Sequence, residues 1–193
     1  MTAEPALFAR LVAASDRDWR SYIRHRFVLL LANGELPEAC FRRYLVQDYL
    51  FLIHFARAWG LAIYKSDALG EMRRAQRLVA ATLDVEIGLH IEYCRGWGLS
   101  EAAMASAPEA PSTIAYTRFV LDRGVAGDRL DLEVALAPCI VGYAVIAAER
   151  IDDPATRLEG NAYREWLEMY AGSDYQELAR EADFWQMGLE AKS

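Results

Sequence analysis

Cysteine is scarce in this chain. Its 193 residues include only Cys40, Cys94 and Cys139, an odd number with no paired spacing. That argues against a disulfide framework and for reduced thiols in a cytoplasm. Basic runs are missing as well. The net charge is −7 and lysine and arginine form no run, so the phosphate-neutralising footprint of a nucleic-acid binder is absent. Long apolar runs are also lacking. The stretch 134–148 is too short for a membrane span and contains Pro138, so it reads as a buried helix. At 1–10, Glu4 and Arg10 bracket too short an apolar segment for a secretory leader. Strand-type alternation, internal repeats and domain linkers are not seen. Without a Gly-x-Gly-x-x-Gly or Walker loop, nucleotide-dependent chemistry has no support.

What the chain does have is apolar residues, 54 % of the total, spaced by three and four. This pattern predicts a single all-α domain over 1–193, its helices packed as a bundle by their apolar stripes. A first helix is expected over about 6–32, stopped by Asn33-Gly34. A second runs from Pro37 to about 65, and a third over 69–96. Ser100 caps a short segment, and Pro108 and Pro111 mark a loop. Ser112 or Thr113 can cap a helix ending near 125. Gly127-Asp128 breaks and recaps the chain ahead of a helix over 129–150. Asp152-Asp153-Pro154 is a turn, and helices over 157–170 and 174–189 follow.

Several residues stand out as carriers of chemistry. Pro138 bends its helix and presents the Cys139 thiol, which reads either as a nucleophile or as an inert buried thiol. Asp48 shares a stripe with Tyr44, Phe51 and Phe55. It can grip an amidine-like donor edge or serve as partner to a buried arginine or tyrosine. Glu181 shares a face with Phe184 and Trp185, and reads as a general acid or as a solvated helix residue. Tyr116, Tyr143 and Tyr163 lie on three helices and can stack a flat ring or fill the core. Glu86 and His90 are spaced as metal ligands can be, with His54 and Glu149 as further candidates. No Glu-x-x-His occurs, however, so the carboxylate-bridged di-iron signature fails. A Glu86–His90 hydrogen bond within one helix is the simpler account.

Read in order, these segments resemble the TenA/thiaminase II family. The resemblance is carried by Gln47-Asp48-Tyr49-Leu50-Phe51-Leu52 with Phe55-Ala56-Arg57, by Glu86 to His90, and by Pro111-Ser112-Thr113-Ile114-Ala115-Tyr116. Leu136-Ala137-Pro138-Cys139, Tyr163-Arg164-Glu165-Trp166 and Phe184-Trp185-Gln186-Met187 complete it. The resemblance implies a haem-oxygenase-like helical bundle without haem, usually a homotetramer, needing no cofactor. It implies hydrolysis of aminopyrimidines from degraded thiamin to hydroxymethylpyrimidine, and in some members cleavage of thiamin itself. Carried over by position, Cys139 matches the nucleophile, Glu181 the acid that protonates the pyrimidine and Asp48 the residue binding its nitrogen edge. Tyr116, Tyr163 and Phe184 match pocket residues, and Tyr143 joins them by its spacing from Cys139. Two departures bear on the site. Phe51 stands where the family often has tyrosine. Phe184 follows Tyr163 by only 21 positions, an interval shorter than the family's by about one helix. Two other readings use the same residues: a pyrimidine-binding regulatory protein without turnover, and a redox enzyme of the same fold.

Overall fold

The computed structural model describes residues 7–181, the side chains of 178, 180 and 181 excepted. The described residues form eleven α-helices and one π-helical segment, with no strand. Two compact units are distinguished, Pro37–Leu136 and the pair of segments Met1–Leu36 and Ala137–Ser193. Each is described in turn.

The unit Pro37–Leu136 is organised around α4, Glu38–Tyr64. Against it pack α5 (Leu69–Ala80), α6 (Ile87–Gly96), α7 (Glu101–Ala105) and α8 (Pro111–Ala126). A helix with neighbours on several sides must be apolar on several sides, and α4 buries Phe41, Leu45, Leu50, Leu52, Phe55, Trp59 and Ala62. Asp48 is the one charged residue among its buried positions. Ser100 caps α7 as expected, accepting from the Ala103 N–H at 3.2 Å. α8 begins one turn earlier than Ser112 or Thr113 would set it. Pro111 is its first residue, a position that needs no N–H, and the Thr113 hydroxyl turns instead to Gln47. Asp128 and Asp131 bond each other's backbone N–H reciprocally and open α9, Arg129–Ile151.

The helix expected over 69–96 is interrupted. Between α5 and α6 the residues Ala81–Glu86 form a π-helical turn. The Thr82 hydroxyl donates to the Leu78 carbonyl at 2.9 Å, a side-chain bond that competes with the regular ladder.

The other unit departs more from expectation. The single helix foreseen over 6–32 is three: α1 (Leu7–Ala14), α2 (Asp16–Ile23) and α3 (Arg26–Ala32). At Ser15 the hydroxyl folds back onto the Leu11 carbonyl, while Asp16 and Asp18 start a new first turn. At His25 the backbone is extended and the ring Nδ1 accepts from the Phe27 N–H, capping α3. Gly34, at φ +79°, then ends α3 as the Asn33-Gly34 pair predicts. The segment 157–163 is not helical. Asn161 is buried and its side-chain amide donates to the carbonyls of Leu31 and Ala32, while its Oδ1 accepts from the Tyr163 N–H. Those bonds hold the backbone open until α10, Arg164–Ala171. Then comes α11, Ser173–Glu181. The remainder of the helix expected over 174–189 lies outside the described residues.

α9 is the one described helix whose length and composition would suit a membrane span, yet 56 % of that window is buried inside the protein. Leu132, Leu136 and Ala147 are wholly covered, as in a core helix. Glu133, 2 % exposed, is its costly residue. One oxygen pairs with Arg129 at 3.3 Å, which also holds Glu71 at 2.8 Å; the other has no partner among the described residues. Burial pushes the carboxyl up to about 7, against the pull of Arg129 and Arg74, with Glu71 and Asp128 adding to the rise. The unfolded chain therefore releases this proton first. Folding stability falls as pH rises from the ordinary carboxylate range to about 7 and levels off above it. Glu133→Gln is expected to remove that fall. Urea denaturation at pH 5 and pH 8 should show the variant gaining about 2.5 kcal/mol on wild type between the two. An equal difference at both pH values would overturn the assignment.

Candidate functional site

Asp48 lies in the buried middle of α4, where an unpartnered carboxylate would be too costly to keep. Two donors meet it. Tyr44, one turn earlier on the same helix, donates to Oδ2 at 2.9 Å, and His90 Nε2 approaches the same oxygen at 2.8 Å. Oδ1 takes no hydrogen bond among the described residues. His90 is 2 % exposed and its Nδ1 meets the Glu86 carbonyl at 2.8 Å. The Glu86–His90 link is therefore made through the backbone carbonyl, and the second ring nitrogen goes to Asp48. Both ring nitrogens are thereby engaged, and among the described residues no group of three His, Cys, Asp or Glu is placed to hold a metal.

One turn along α4, Phe51 stacks on Tyr116 of α8, with ring centroids 5.7 Å apart and planes 22° from parallel. Phe55 continues the row at 5.3 Å. The Tyr116 hydroxyl donates to the Ala135 carbonyl, fixing the ring. Beyond this stack the His54 Nε2–H donates to the Glu109 carboxylate at 2.8 Å, and Arg57 and Arg118 approach its other nitrogen.

Gln47, beside Asp48 in sequence, has a role that its residue type and spacing do not signal. Its amide oxygen accepts from the Ala110 N–H at 2.7 Å and the Thr113 hydroxyl at 2.9 Å, and its nitrogen donates to the Pro108 carbonyl at 3.0 Å. It thus ties the loop before α8, and so Tyr116, to the helix that carries Asp48. Gln47→Ala gives up three hydrogen bonds and should cost about 1–3 kcal/mol in urea denaturation. A loss below about 0.5 kcal/mol, the usual size for a surface change, would show the clamp to be idle.

Cys139 belongs to the other unit. It is half-buried and in no disulfide. The backbone on both sides of it is held by tyrosines. Tyr22 donates to the Pro138 carbonyl at 2.8 Å, and Tyr175 to the Cys139 carbonyl at 3.2 Å. Gly142 makes room for this, since a Cβ there would lie 2.7 Å from the Tyr22 ring. Tyr143 is half-buried and packs on Tyr170 at 5.0 Å and Trp166 at 5.8 Å. Tyr163 is 4 % exposed and donates its hydroxyl to the Leu36 carbonyl. Glu181 is the last residue of α11, but its side chain, and Phe184 entirely, lie outside the described residues.

Residues 13–191 match the model of the TENA/THI-4/PQQC family. An aminopyrimidine aminohydrolase of Halalkalibacterium halodurans is 34 % identical over 89 % of the chain and 76 % of its own length. An uncharacterized protein of Haemophilus influenzae is 40 % identical over 91 % of the chain and 80 % of its own. Among solved structures, that of a TenA family transcription regulator from Silicibacter sp. superposes with a TM-score of 0.90 at 41 % identity. It covers 96 % of this chain and 81 % of its own.

Proposed function

The chain belongs to the TENA/THI-4/PQQC family, and from that premise we propose that it hydrolyses aminopyrimidines derived from thiamin, releasing hydroxymethylpyrimidine for salvage. It is a C–N hydrolase. The observation that carries the reading is Asp48, a buried carboxylate with one oxygen held by Tyr44 and His90 and the other unclaimed among the described residues. An aminopyrimidine presents a flat edge of N–H donors suited to such an oxygen. Phe51 and Tyr116, already parallel, offer aromatic faces of the kind that stack a heterocycle.

Within this reading Cys139 is the nucleophile and Tyr143 a pocket wall, and Glu181 and Phe184 keep the roles the resemblance gives them. Tyr163 takes part by holding Leu36, because its hydroxyl is spent and its ring covered. No cofactor is needed. The enzyme is cytoplasmic, in keeping with thiols that form no disulfide. It is a homotetramer, whose contacts would cover apolar residues such as Leu83, Val85, Ile114 and Phe119.

The test is incubation of the purified protein with an aminomethyl-aminopyrimidine and, separately, with thiamin, following ammonia and hydroxymethylpyrimidine. Product from the first supports the reading, and product from the second adds thiamin cleavage. Binding of both without product would sink turnover and leave a pyrimidine-binding regulator.

A further inference from the structure

The Asp48–His90 contact carries more than a structural tie. The Glu86 carbonyl can only accept, so the His90 Nδ1 facing it at 2.8 Å must carry a proton. The Asp48 Oδ2 facing Nε2 already receives the Tyr44 hydroxyl. A carboxylate oxygen that accepts twice is best served by an ionised acid, and that requires the second ring nitrogen to be protonated too.

We propose that His90 is the positioning residue of Asp48: an imidazolium that holds Oδ2 and turns Oδ1, still charged, toward the N–H edge of an aminopyrimidine. The role rests on the reading of Asp48 as the pyrimidine-binding residue, whereas the protonation state of the pair stands on geometry alone. The groups acting on His90 favour the charged ring. Burial, the largest influence, opposes protonation. The hydrogen bond and charge of Asp48 from α4, and the carbonyl and charge of Glu86, outweigh it and raise the pKa of His90 above its ordinary value. Tyr44, from α4, reaches the same carboxylate as a neutral donor.

The π-helical turn explains how the pair is built. It ends at Glu86, whose carbonyl orients the ring one turn later in α6. π-turns recur at functional sites for this kind of reason, since they re-aim a side chain inside an otherwise regular helix. The Glu86 to His90 spacing looked like a ligand pair because the partner that matters, Asp48, is 42 positions away.

The experiment is ¹⁵N-histidine NMR on the whole protein, which has only three histidines, His25, His54 and His90. Wild type should show one ring protonated on both nitrogens at pH 7 and remaining so beyond the ordinary imidazole range. In Asp48→Asn that ring should be neutral at pH 7, with a proton on Nδ1 only. A singly protonated His90 in wild type at pH 7 overturns the proposal. The positioning role is read from calorimetry with hydroxymethylpyrimidine. Folded His90→Gln should bind it about tenfold more weakly than wild type, and equal affinity overturns that role. If wild type shows the imidazolium but binds no hydroxymethylpyrimidine, the pyrimidine reading falls, and the positioning role with it, while the charged pair stands.

Discussion

Cys139→Ala and Cys139→Ser are both expected to lower kcat for aminopyrimidine hydrolysis by about 10³-fold or more, with little change in stability. In the proposed reaction the thiolate adds to a ring carbon and the ring accepts the electron pair. A proton delivered to a ring nitrogen, the role matched by Glu181, stabilises that charge. The amino substituent departs as ammonia, water takes its place, and the thiolate is released. Alanine has no nucleophile. Serine keeps the shape, but its hydroxyl is a far weaker nucleophile near neutral pH without an activating base. The fold should tolerate either change. Cys139 is half-buried, and the hydrogen bonds to Tyr22 and Tyr175 are made by the carbonyls of residues 138 and 139, not by the sulfur. Ammonia release under saturating substrate measures the loss. A serine variant that keeps more than a tenth of wild-type turnover would exclude the thiolate route.

How much of this was legible in the sequence depended on whether the signal was local. Asn33-Gly34 and Gly127-Asp128 stop or start helices through groups within a few residues, and both do so in the structure. The uninterrupted run of α4 and the proline-containing run of α9 were equally plain. The breaks at Ser15 and His25 were not, because each is a side chain choosing a nearby backbone group over a continued ladder, and the apolar spacing on either side hides it. The open segment 157–163 is set by Asn161 bonding carbonyls about 130 positions away. Such a partner leaves no periodicity to read. The same holds for the site. Asp48 stood out as a lone charge on an aromatic stripe, but whether it served a ligand or a structural partner was an even choice. Among the described residues it has partners on one oxygen only.

That asymmetry predicts the behaviour of Asp48→Asn. The amide matches the carboxylate in shape, and a neutral His90 can keep its Nδ1–H on the Glu86 carbonyl while Nε2 accepts from the new amide nitrogen. The pair is thus replaced rather than broken, and the penalty for stranding one buried charge is avoided. The variant should remain folded. Its second amide atom is then an uncharged oxygen where a carboxylate oxygen stood. A hydrogen bond to a charged acceptor is worth about 1.5–3 kcal/mol against about 1 for a neutral one. The expected fall in kcat/KM for an aminomethyl-aminopyrimidine is therefore roughly 2–30-fold, with KM rising where the lost bond acts in the ground state. Asp48→Ala is the harsher control, since it leaves His90 buried at 2 % exposure without a partner on Nε2, and its loss in urea denaturation should exceed that of the asparagine variant. Wild-type kcat/KM in Asp48→Asn would mean that the charge on Asp48 serves the fold and not the substrate.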